Sequence, residues 1–82
     1  MFSKKEFIYE VSLCIKKRRM EKGISQKDFY CNTNIHIGRI EQGKTDIGIF
    51  TFFRICKYLD IDVVDLSTHL NEVMAGDNLL RF

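Results

Sequence analysis

Residues 22–44 read KGISQKDFYCNTNIHIGRIEQGK, and this stretch decides the fold. Gly23 is placed to take the left-handed conformation that ends a helix, with Ile24 behind it as the usual apolar contact. Ser25, with Asp28 three residues on, forms a capping-box pattern, so a new helix is expected to start at Gln26 after a very short turn. Thr33 then offers a cap for a third, short helix over Asn34–Gln42, in which Ile37 and Ile40 lie on one face and Gly43 ends the run. The expectation is two short amphipathic helices over about residues 25–42, with Cys31, Asn32 and Thr33 as a tight turn between them.

Outward from this stretch the helical pattern continues in both directions. Ser3 and Glu6 form another capping-box pattern, and Phe7, Val11, Cys14, Ile15 and Arg18 follow at helical spacing, which predicts helix 1 over about Lys4–Lys22. After a loop at Lys44–Gly48, helix 4 is expected over about Gly48–Leu59, with Ile49, Phe52, Phe53, Cys56 and Leu59 along a single stripe. Asp62 is a cap for helix 5, about Val63–Ala75, whose stripe is Val63, Leu66, Leu70, Val73 and Met74. Alternating strand patterns of useful length are absent, and the fold class is all-α with five helices.

The whole chain of 82 residues, 45% hydrophobic and 29% charged, has the composition of one small globular domain. Its net charge of +2 hides an asymmetry. Residues 1–57 hold twelve Lys and Arg against six acids, a net +6, whereas residues 58–82 hold one Arg against five acids, a net −4. A local basic excess of this kind fits an anionic partner such as a nucleic acid, and also fits an ordinary solvated basic helix face. Cys14, Cys31 and Cys56 are odd in number and widely spaced without a CxxC pair, so they read as reduced packing residues rather than as a disulfide framework or metal site. No stretch has the length or apolarity of a membrane span or signal peptide, and the expected location is the cytoplasm. No Gly-rich phosphate loop, nucleophile with an adjacent base, or framed carboxylate pair is present. The chain is therefore not expected to be an enzyme, nor to need a cofactor or a small-molecule substrate.

Two short helices with a polar turn, a basic helix before them and a Gly-Lys-Thr loop after them, have helix-turn-helix organisation. The segment from Ile15 to Ile61 resembles the Xre/Cro/CI family of helix-turn-helix repressors. The residues that carry the resemblance are Lys16-Lys17-Arg18-Arg19, Lys22-Gly23-Ile24-Ser25-Gln26, Gly38-Arg39-Ile40-Glu41-Gln42-Gly43-Lys44 and Arg54-Ile55-Cys56-Lys57-Tyr58-Leu59. The resemblance implies a five-helix, lambda-repressor-like domain. It also implies a bacterial or phage transcription regulator that binds double-stranded DNA sequence-specifically, mostly as a homodimer on a palindromic operator. An antitoxin-like protein-interaction module of the same fold is the alternative.

The resemblance and the chemistry of the side chains together assign roles. Gln26, at the first turn of helix 2, is expected to hold a backbone phosphate, with Lys44 and Thr45 as two further phosphate contacts. Thr33, Asn34, Ile35 and Arg39 are expected to face base edges: Asn reads adenine, Arg reads guanine, and an Ile can touch a thymine methyl. Simple capping is an alternative use of Thr33 and Asn34. The resemblance assigns Arg19 and Glu41 a structural ion pair between helix 1 and the end of helix 3. His36 has two readings, a base contact or a packing and capping residue. His69 has no ligand-like neighbour and is expected at the surface or an interface. The dimer interface is expected on Tyr58, Val64, Leu66, Leu70, Val73 and Met74, helped by Phe50, with Tyr9, Leu13 and Met20 of helix 1 as a second patch.

Two features depart from the family pattern. The interval from Gln26 to Ile40 is about three residues shorter than usual and lacks the turn glycine, and Tyr30 stands where a small residue is common. Arg18 occupies a position on helix 1 that is normally aliphatic, where it can bury its stem and keep its head in water.

Overall fold

The computed structural model describes residues 3–74, and these form five helices without a strand: α1 (Lys4–Glu21), α2 (Gln26–Thr33), α3 (Ile37–Ile40), α4 (Ile49–Tyr58) and α5 (Val63–Val73). The expected all-α fold of five helices is the one observed. No helix among the described residues is long and apolar enough to cross a membrane.

Local signals account for most of the boundaries. Ser3 Oγ accepts from the Glu6 amide at 3.1 Å, the forward bond of the capping box, and its hydroxyl donates to the Glu6 carboxylate at 3.4 Å. Helix α1 ends in a Schellman motif: Gly23 adopts φ +67°, its amide donates to the Met20 carbonyl, and the Ile24 amide donates to the Arg19 carbonyl. Ser25 Oγ accepts from the Asp28 amide at 3.0 Å and starts α2, while Asp62 accepts from the amides of Val64 and Asp65 and starts α5.

The second half of the helix pair differs from expectation. Cys31, Asn32 and Thr33 are not the turn but the last residues of α2, and α3 is a single turn rather than a helix over Asn34–Gln42. Thr33 does not cap α3. Its hydroxyl donates back to the Phe29 carbonyl at 2.7 Å and accepts from the Ile35 amide at 3.1 Å, an arrangement that completes α2 and starts the turn. Asn34 supplies the left-handed residue, φ +62°, and its amide donates to the Tyr30 carbonyl at 2.7 Å. Asparagine tolerates this conformation better than other non-glycine residues, which is how a turn without glycine closes here.

The core gathers Val11 and Ile15 from α1, Phe29 from α2, Ile35 from the turn, Ile37 and Ile40 from α3, Ile55 from α4 and Leu59 from its C-cap, and Leu66 and Leu70 from α5. The expected stripe of α4 is rotated: Ile55, Cys56 and Leu59 are buried, Phe52 is half-buried, but Ile49 and Phe53 are exposed. Cys31 is exposed too, so it is not a packing residue, whereas burial raises the thiol pKa of Cys14 and Cys56. Residue 75, placed in helix 5 by the sequence, lies outside the described residues.

Polar clasps join helix ends that the sequence leaves far apart. Arg18 donates from Nε to the Leu59 carbonyl at 2.9 Å, a cation at the C-terminus of α4 where the helix dipole favours it. Lys22 pairs with Asp60, which sits at φ +54° as the left-handed residue of a second Schellman motif closing α4. The lysine holds the Asp60 carboxyl below its ordinary pKa, chiefly through their hydrogen bond. Arg54 of α4 donates to the Thr33 carbonyl at 2.6 Å and lies 6.0 Å from the Phe50 ring centre.

Candidate nucleic-acid interface

Helices α2 and α3 are held against each other by a short polar chain. Arg19 donates to both Glu41 carboxylate oxygens, at 2.6 and 2.9 Å, and to the Ile24 carbonyl at 2.6 Å. The two side chains are 10% and 3% exposed, so this bidentate pair is sealed from water, and its hydrogen bonding raises the Arg19 pKa further. Gln26 extends the chain by donating from Nε2 to Glu41 Oε1 at 3.2 Å. Its amide lies so close over Gly38 that a Cβ there would meet Gln26 Oε1 at 2.9 Å. The glycine leaves room on α3 for the Gln26 amide.

Around this contact lies a polar hollow of about 440 Å³, bordered by Gln26, Lys27, Tyr30, His36, Arg39 and Gln42. Two cationic side chains, two amides, a phenol and an imidazole thus share one concave surface. That combination can bind phosphate oxygens and the acceptor-rich edges of bases. The Tyr30 and His36 rings pack together with centroids 4.4 Å apart and planes inclined by 32°.

The structure distributes the expected site residues unevenly. Gln26 and Arg39 border the hollow, and Asn34 is exposed at the end of α2. Thr33 and Ile35 are 8% and 7% exposed, with both Thr33 side-chain hydrogen bonds made internally and Ile35 in the core. A base contact from either would require the turn to open, so the assignments of Thr33 and Ile35 are corrected: the shortened α2–α3 interval draws both inward. Lys44 and Thr45 are exposed after Gly43, although Thr45 also borders the apolar groove between α1, α4 and α5.

Lys27, Tyr30 and Gln42 were not singled out as site residues from the sequence. A usable signal existed: Gln26 with Tyr30, Lys27 with Tyr30, and Arg39 with Gln42 are polar or amphipathic pairs at helical spacing on the side opposite the apolar stripe.

The expected dimer residues separate in the same way. Leu66, Leu70 and Met74 are buried within the monomer, which corrects their placement at an interface, because α5 turns that stripe onto α1. Tyr58 is half-buried, edge-on to Phe29 at 5.0 Å, with its hydroxyl accepting from Asn32 Nδ2 at 2.9 Å. Val64 remains 73% exposed and Val73 39% exposed. On α4, Ile49, Phe50 and Phe53 are exposed as well.

The sequence profile of the helix-turn-helix family matches residues 15–66, well over half of the chain, and spans every element of this interface from the middle of α1 into α5. The chain belongs to that family, in its Xre/Cro/CI-like form, a family of DNA-binding regulators. The comparisons with curated proteins and with solved structures returned no match.

Proposed function

We propose that this chain is a sequence-specific transcriptional regulator, a repressor, that binds a palindromic double-stranded operator as a homodimer in the cytoplasm. The observation that carries this reading is the polar hollow where α2 meets α3, with Lys27 and Arg39 at its border and Gln26 bridging the two helices. In this reading Arg39 and Asn34 contact bases, while Gln26, Lys44 and Thr45 hold phosphates. A protein that occupies a promoter occludes it, which is why repression is the expected outcome.

A second copy is expected on the exposed apolar side chains of α4 and α5. Phe50 at 74%, Ile49 at 75% and Val64 at 73% exposure carry a large apolar area for so small a chain. A two-fold pairing there repeats the recognition surface about 34 Å along the duplex, one helical turn.

The test is selection of duplexes from a random library, followed by binding of the enriched sequence at several salt concentrations. An enriched inverted repeat and a log–log salt slope near −0.9 per neutralised phosphate are expected. A folded protein that binds no duplex at low salt overturns the reading.

A further inference from the structure

We propose that His36, held in place by the Tyr30 ring, reads the major-groove edge of a purine, so that part of the base readout lies on the turn before α3 rather than on α3 itself. The inference rests on the DNA-binding reading above and deepens it.

It starts from the size of α3. Of its four residues, Ile37 and Ile40 are buried and Gly38 has no side chain, which leaves Arg39 as the one side chain of α3 able to meet DNA. A single Arg specifies about one base pair. Sequence-specific binding therefore has to draw on side chains beside α3: Thr33 and Ile35 are excluded by burial, and Asn34, already assigned to a base, leaves room for a further reader. His36 is the residue immediately before α3, is exposed, and borders the same hollow as Arg39 and Gln42.

The second step is orientation. Imidazole N–H bonds lie in the ring plane, so a neighbour packed against the ring face restrains the plane in which the ring can donate. Tyr30 is that neighbour, at 4.4 Å and 32°. A phosphate contact tolerates a range of donor directions, whereas a base contact does not, and a ring braced before binding is the arrangement that base reading uses. The charge around the ring selects the partner: Lys27 and Arg39 share the hollow, so an acceptor edge fits and a donor edge does not. The major-groove acceptors are guanine N7 and O6, adenine N7 and thymine O4; the thymine oxygen stands beside an apolar C5 methyl that a polar hollow does not favour, which makes the partner a purine.

The experiment compares wild type, His36→Ala, Tyr30→Ala and Tyr30→Phe on the selected site, on a series in which each purine of that site is replaced in turn, and on a random sequence, with circular dichroism as the folding control. In the wild type one purine position per half-site is expected to matter by roughly tenfold, within the usual cost of a mismatched pair. His36→Ala should abolish that preference while binding random duplex within about twofold of wild type. Tyr30→Ala, which leaves the imidazole but removes its brace, should weaken the same preference, and Tyr30→Phe, which keeps the ring, should restore it. A selective wild type whose base preferences survive His36→Ala and Tyr30→Ala overturns this inference alone. Equal loss on specific and random duplex also overturns it, because that is the behaviour of a phosphate contact. A wild type that binds no duplex overturns it together with the proposed function.

Discussion

Gly43 lies against Ser12 so closely that a Cβ on the glycine would stand 2.9 Å from the Ser12 hydroxyl oxygen and 3.3 Å from the Tyr9 Cα. Ser12 is buried and donates to the Tyr9 carbonyl at 2.6 Å, a hydrogen bond it would lose by swinging aside. Gly43 also adopts φ +72°. Gly43→Ala therefore combines left-handed strain with overlap of the Ser12 hydroxyl and a tight contact on the α1 backbone, and is expected to cost about 2–4 kcal/mol in urea unfolding. Gly23→Ala is the control, since it shares the positive φ but meets nothing within 4 Å; about 1 kcal/mol is expected. Equal losses at the two sites would show that packing on α1 contributes nothing.

The Arg19–Glu41 pair is nearly sealed from solvent, so removing one partner strands the other. Glu41→Gln and Arg19→Met are each expected to destabilise the fold by about 3 kcal/mol. The double variant should be less destabilised than the sum of the singles, because neither charge is then left alone. Chemical denaturation of the four proteins checks this.

On DNA, Arg39→Ala is expected to relax preference at one base position by about 1–3 kcal/mol. Lys44→Ala should weaken all duplexes alike and reduce the salt slope by about 1. Fluorescence anisotropy on specific and random duplexes separates the two behaviours. Identical effects of the two substitutions would contradict the assignment of Arg39 to a base.

For the dimer, Val64→Asp and Phe50→Asp are expected to give folded monomers in sedimentation at tens of micromolar, where wild type sediments as a dimer. Leu70→Asp should instead unfold the chain, because Leu70 is buried in the core. A folded, dimeric Val64→Asp, Phe50→Asp double variant would place the interface elsewhere.

The Lys22–Asp60 pair adds a pH term. The folded state holds the Asp60 carboxyl below its ordinary pKa, so the stabilisation is fully present above about pH 4 and is lost as pH falls through the lower, folded value. Asp60→Asn keeps a residue suited to the left-handed backbone but removes this contribution. Its thermal midpoint should follow that of wild type at a constant offset at neutral pH, and the offset should shrink below about pH 4.

What the sequence made legible was what neighbouring residues decide. Ser3 with Glu6, Ser25 with Asp28, Gly23 and Asp62 act within one turn of their own helix, and each does what its spacing indicates. Thr33 was misread because a threonine beside a turn can bond forward as a cap or backward as the end of a helix. The choice was settled by Asn34 taking the left-handed conformation, which local pattern does not declare. On α4, apolar residues extend around more of the helix than the core covers, so the buried arc depended on where α1 and α5 arrive; Ile49 and Phe53 fell outside it. The same long-range dependence hid the hollow, because Tyr30 and His36 meet only after the shortened turn has closed.

The Arg54 clasp has a thermodynamic corollary. One guanidinium joins α4 to the last carbonyl of α2, immediately before the left-handed Asn34, and the Phe50 ring lies beside it on the same helix. The residues expected to meet a second copy and the turn expected to meet DNA are thus two ends of one linkage. Docking at either end restrains the same guanidinium, which adds to the coupling that a two-fold dimer on an inverted repeat has through its two half-sites, and operator DNA should tighten subunit association by the same factor by which association tightens operator binding. Arg54→Ala should lower that factor, leaving only the part that comes from the two half-sites.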